Sequence, residues 1–154
     1  MDAQATKRRQ ALAEACANAM WADDQASQAL GMVIERIAPG EAVLSMTVRD
    51  DMTNGHGLCH GGFIFTLADS AFAFACNTYD QRTVAQHCSV TYLRPGRRGD
   101  RLTAHAVERS RTGRSGIYDV TVSGGAGEVI AEFRGHSRTI AGSLLGPTAA
   151  QDSH

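Results

Sequence analysis

The sequence has no CxxC pair and no regular cysteine framework; its four cysteines stand alone at Cys16, Cys59, Cys76 and Cys88. Such a set reads as free thiols in a reducing compartment, and the expected location is cytoplasmic. Charge of one sign is also lacking. A net charge of −1 offers no electrostatic reason to expect a nucleic acid or a membrane surface as partner. No apolar run is long enough to span a bilayer, and the polar, charged stretch from Met1 to Arg9 is unlike a signal peptide. Internal repeats and low-complexity runs are missing too. What remains is a chain of 154 residues, 43% hydrophobic, enough for one domain with a substantial core.

The most informative stretch is 54–77. A glycine-rich loop from Asn54 to Gly62 runs into an apolar segment that no proline interrupts, rich in Ala, Leu and Phe. That composition predicts a helix, and apolar residues on all its sides predict one buried nearly all round by a sheet. It carries one acid, Asp69, and no basic residue from Gly61 to Asn77. A buried carboxylate is paired, shifted in pKa or kept for chemistry. A mid-helix Asp also serves to cap a neighbouring backbone or to face water. Gly61 and Gly62 fall at the helix start, where free amides and the dipole favour a phosphate or a developing oxyanion.

These two features are too far apart to act together in one chain. Eight residues at a rise of about 1.5 Å separate Asp69 from Gly61 by roughly 12 Å. A reacting carbonyl needs both groups within about 3 to 3.5 Å. A two-fold dimer with antiparallel helices would bring Gly61 of one copy to Asp69 of the other, giving two shared sites.

Elsewhere the pattern is mostly period two. Residues 5–22 predict a helix whose packing face is not readable, and Asp23-Asp24 a short second helix ended by Gly31. Met32 to Ile37 and Ala42 to Val48 form a hairpin about Pro39-Gly40. After the central helix come four strands. The first, Thr83 to Leu93, alternates through Val84, Cys88, Val90 and Tyr92. Arg101 to Arg109 breaks phase at Val107-Glu108, where it either ends or bulges. Ile117 to Val122 and Val129 to Ser137 complete the set, and the tail beyond Ile140 reads as frayed. The sum is an α+β architecture, an antiparallel curved sheet wrapped around one long central helix. Its open edges would be protected by pairing in the same dimer.

Asn54-Gly-His-Gly-Leu-Cys-His60-Gly61-Gly62, Asp69 within Leu-Ala-Asp-Ser-Ala-Phe, and Tyr92-Leu-Arg-Pro-Gly together resemble the hotdog-fold acyl-CoA thioesterases, in the phenylacetic acid degradation branch. The resemblance spans about residues 20–142. Together with the patterns at either end of the chain, it divides the sequence into a helical segment at 1–30, a hotdog domain at 31–142 and a flexible tail at 143–154. It also implies an Asp69 that acts as nucleophile or general base and a Gly61 amide that polarises the thioester carbonyl. Asn54 would support the carbonyl or position water, His60 orient the thioester, and Ser70 hold the attacking water. The implied substrates are phenylacetyl-CoA and its ring-hydroxylated derivatives, with CoA as leaving group and no bound cofactor. A tetramer built as a dimer of dimers is implied as well. The alternatives are a hotdog hydratase or dehydratase, disfavoured because the helix has no His, and a non-catalytic acyl-CoA-binding protein, disfavoured because residues 1–30 show no clear helix-turn-helix.

Other residues have competing uses. His56, Cys59 and His60 could ligate zinc, but the fourth candidate, Asp69, is about 12 Å off, so no metal is expected. Cys59 near a helix start could be a nucleophile, yet no separate base is evident and incidental burial is the better reading. Of Arg94, Arg97, Arg98, Arg109, Arg111 and Arg114, some are expected to meet the CoA phosphates. Phe63, Phe65 and Phe72 could line an aromatic pocket, although helix-core packing is the commoner use.

Overall fold

The computed structural model describes residues 2–146. Helix α1 (Ala3–Asp23) opens on Asp2, whose side chain accepts the Gln4 amide, and buries Ala13, Cys16 and Ala17. Helix α2 (Gln25–Ala29) is capped by Asp24, and Gly31 turns the chain with φ +70°. Strands β1 (Val33–Ala38) and β2 (Glu41–Thr47) form the expected hairpin. A 3-10 turn (Asp50–Met52) and the glycine-rich loop lead into α3 (Gly61–Cys76). Four strands follow: β3 (Thr83–Tyr92), β4 (Arg101–Thr112), β5 (Ser115–Ser123) and β6 (Val129–Thr139).

All six strands join one antiparallel sheet in the order β1-β2-β4-β5-β6-β3. Its inner face carries Ala42, Leu44, Met46, Leu102, Ala104, Ala106, Tyr118, Val120, Val122, Ala131 and Phe133, all buried. Small residues there let α3 lie close. A Cβ on Gly135 would stand 2.7 Å from the Phe72 ring, so only glycine leaves that ring its place.

Of the two possibilities for β4, an early end or a bulge, the structure has a bulge between Glu108 and Ser110, and the strand continues to Thr112. Glu108 lies opposite Tyr118 and accepts hydrogen bonds of 2.9 Å from both the Tyr79 and the Tyr118 hydroxyls. A second bulge, in β3 between Ala85 and His87, was not visible in the alternation. Cys88 and Val90 pack on the core as expected, but Val84, beyond the bulge, pairs with Arg138 and is 44% exposed. One extra residue reverses the faces of everything before it.

One further expectation is corrected. Helix α3 is not buried all round: Gly62 is exposed and Thr66, Asp69 and Ala73 are half-buried, forming a stripe at helical spacing. The sheet of a single chain covers one side of the helix and leaves this stripe. At the start of the expected tail the Leu144 and Leu145 amides both donate to the Asp80 carboxylate at 2.9 Å. The rest of the expected tail, 147–154, lies outside the described residues.

Candidate active site

The loop before α3 is held by Asn54. Its carboxamide oxygen accepts the amides of His56 (2.9 Å) and Leu58 (3.3 Å), and its backbone amide donates to the Leu58 carbonyl. Gly57, at φ +73°, provides the left-handed residue this turn requires. With the oxygen so used, the Asn54 Nδ2 hydrogens remain for a ligand. Bridges from Thr53 to Cys59 and from Leu58 to Arg97 seat the loop beside the end of β3.

His60 is the N-cap of α3, and its Nδ1 accepts the Gly62 amide at 2.9 Å. An accepting Nδ1 carries no proton, so in the neutral ring the hydrogen sits on Nε2. The Phe63 amide bonds the His60 carbonyl at 3.0 Å. Among the described residues the Gly61 N–H has no acceptor, although it is the first amide of a sixteen-residue helix. Capping therefore satisfies the neighbouring donors and leaves this one for an incoming oxygen.

Tyr92 was missed as an individual contributor. Its hydroxyl donates to the Gly61 carbonyl at 2.9 Å, and a Cβ on Gly61 would lie 3.0 Å from the ring. The two residues are 31 apart in sequence, and nothing in either one's local pattern signals the contact. Tyr92→Phe should loosen the Gly61 peptide, lowering kcat by about three- to tenfold, the worth of one hydrogen bond. Steady-state kinetics of that variant, with a melting curve to separate stability, check this.

Asn54, Gly61, Tyr92 and Arg94 line one cleft of about 410 Å³, with Leu58, Cys59 and Ile64 supplying its apolar wall. Arg94 also donates to the Val129 carbonyl at 3.1 Å. Other arginines are engaged elsewhere: Arg98 with Asp50, Arg109 with Asp119, and Arg111 over the Tyr79 ring.

Asp69 and Ser70 are not part of this cleft. Asp69 is half-buried on the open stripe of α3, and burial raises its pKa above the usual carboxylate value, partly offset by a hydrogen bond from Cys88. That contact runs from Sγ to Oδ1 at 3.9 Å. Ser70 is bonded to Ser27 at 2.8 Å. Within one chain the structure thus brings together Asn54, His60 and Gly61, and sets Asp69 and Ser70 two turns along.

The cysteines are free. Burial holds Cys59 as a thiol and pushes Cys76 to about 12 and Cys88 to about 11, so the helix start does not activate Cys59. Among the described residues no cluster of three His, Cys, Asp or Glu is placed to hold a metal ion, and no helix is long and apolar enough to cross a membrane.

A curved six-stranded antiparallel sheet packed on one central helix, with a glycine amide open at its start, is the hotdog arrangement of the thioesterases. The thioesterase superfamily model matches residues 56–131, and the chain belongs to that superfamily. Among its relatives, the acyl-coenzyme A thioesterase PaaI of Escherichia coli is 44% identical over 130 residues, 84% of this chain and 93% of that one. The solved structure of the E. coli PaaI protein from the phenylacetic acid degradation operon superposes with a TM-score of 0.86 at 42% identity, covering 87% of this chain and 97% of that one. A single-residue variant of the phenylacetic acid degradation protein PaaI from Thermus thermophilus gives 0.73 at 42% identity, over 76% and 100% of the two chains.

Proposed function

We propose that the protein hydrolyses aryl-acyl-CoA thioesters, with phenylacetyl-CoA and its ring-hydroxylated derivatives as substrates, in phenylacetate catabolism. The observation that carries this reading is the free Gly61 amide at the start of α3, in a cleft that also presents the Asn54 carboxamide. The likeness to PaaI supports the substrate class.

The thioester carbonyl oxygen accepts from Gly61 N–H, with Asn54 Nδ2 beside it and His60 fixing the turn. Charge that develops on this oxygen meets a preorganised dipole. Asp69 of a second copy either attacks the carbonyl carbon or draws a proton from a water that attacks it. The carbon–sulfur bond then breaks, and the CoA thiolate leaves and is protonated; in the first route a water then cleaves the acyl–Asp69 anhydride, which releases the acid and restores the carboxylate. The second copy docks along the open edge of β3, where Val84 and Tyr92 are exposed, and pairs of such dimers form a tetramer.

Incubation with phenylacetyl-CoA and a thiol reagent should release free CoA, which neither a hydratase nor an acyl-CoA-binding protein would do. A panel of aryl and aliphatic acyl-CoAs should rank the phenylacetyl group highest in kcat/KM. Absence of CoA release from the whole panel would sink the reading. Single turnover in oxygen-18 water bears on the two routes: label entering Asp69 requires an anhydride opened at the Asp69 carboxyl carbon, and label only in the acid favours general-base attack.

A further inference from the structure

The geometry points to Asp24 and Ser27 of the N-terminal segment as positioning residues that set the direction of the Ser70 hydroxyl. This inference rests on the thioesterase reading above and on Ser70 as the residue that holds the attacking water. Ser27 is 1% exposed and its Oγ donates to Asp24 Oδ2 at 2.7 Å. Asp24 Oδ1 accepts the Ser27 amide at 2.9 Å, so both carboxylate oxygens face this one residue. Ser27 Oγ also lies 2.8 Å from Ser70 Oγ.

The direction of each proton follows from counting hydrogens. A carboxylate oxygen only accepts, and a serine has one hydroxyl hydrogen. The Ser27 hydrogen is committed to Asp24, so the Ser70 hydroxyl must donate to Ser27. The oxygen of Ser70, a half-buried residue next to Asp69 in sequence, is left with lone pairs alone. It can receive a hydrogen from water but cannot donate to a carbonyl or to the Asp69 carboxylate. A water lying between the two side chains would give one hydrogen to Ser70 and the other to Asp69. Its own lone pair would then be free for the thioester carbon, and the proton taken by Asp69 would be available to the leaving sulfur. A burial-driven cap of α2 thus reaches the reaction through two hydroxyl groups.

Asp24→Asn tests this because it preserves the cap and reverses the relay. The amide oxygen must still face the Ser27 N–H, which places Nδ2, a donor, against Ser27 Oγ. Ser27 then donates to Ser70, and the Ser70 hydrogen turns outward against the water. With phenylacetyl-CoA and the full chain, kcat should fall by about tenfold, the worth of one misdirected hydrogen bond, with KM within about twofold. In a Ser70→Ala background the same change should have no further effect. Ser27→Ala, which cuts the relay without touching the capping carboxylate, should give the same pattern. Equal losses in both backgrounds, or an Asp24→Asn enzyme as fast as the wild type, would overturn the relay. A wild-type protein that releases no CoA would instead remove the thioesterase reading itself.

Discussion

Asp69→Asn is expected to lower kcat by about 10³-fold or more, within the range known for loss of a positioned acid–base group, while KM changes little. Asn nearly matches Asp in shape, so substrate binding survives; it can neither attack nor take a proton. The same variant should be more stable than the wild type at neutral pH. Burial raises the Asp69 pKa, so the folded chain binds the Asp69 proton more tightly than the unfolded chain does. The destabilisation is therefore absent below the unfolded value of about 3.9 and grows as pH rises through the folded value. Melting curves at pH 7 and near pH 3.5 should show a gain for Asp69→Asn that shrinks in acid. In the wild type, kcat/KM should decline on acidification at a pH above the ordinary carboxylate range, because the ionised form does the work. Near-native turnover by Asp69→Asn would refute the assignment.

Mixing two inactive variants should restore activity. Gly61→Pro removes the amide hydrogen, and proline suits the first position of a helix. The preceding His60, at ψ 133°, already has the extended backbone that proline demands. The added Cβ would press on the tip of the Tyr92 ring at 3.0 Å, a half-exposed side chain that can move. Loss of one oxyanion donor costs about 10²- to 10³-fold. When Gly61→Pro and Asp69→Asn chains are unfolded together and refolded, about half of the dimers are mixed. Each mixed dimer unites an intact Gly61 with an intact Asp69 at one of its two sites. Recovery should approach half of one half, about a quarter of wild-type activity. A mixture no more active than its parents would show that the site is not shared between copies.

The reading of the fold from residues succeeded where the pattern is local. Strand alternation through Leu102, Ala104 and Ala106 and through Tyr118, Val120 and Val122 placed the inner face of the sheet. The phase break at Val107-Glu108 left two possibilities, an early end or a bulge; the register stays regular through Glu108 and shifts only before Ser110. The β3 bulge escaped because Val84 and Cys88 keep an even spacing while the extra residue between them reverses their faces. The open stripe on α3 escaped because apolar content tells how much of a helix is buried, not which neighbour buries it. Asp69 and Gly61 stood out early, one as a lone acid in an apolar helix, the other as a glycine at its start. Tyr92 and Ser27 did not, since each acts on a residue 31 or 43 positions away.

Residue order along the chain determined the elements, the charge-poor central helix and the acid within it, because periodicity and backbone preference act over a few neighbours. It also determined the span between Gly61 and Asp69, which the helical rise sets without any partner. Tertiary structure alone decided that capping by His60 leaves the Gly61 amide open, that Tyr92 holds the Gly61 carbonyl, and that Ser70 is turned toward Ser27. Hydrogen bonds are directional and short, so which donor meets which acceptor depends on packing between segments far apart in sequence.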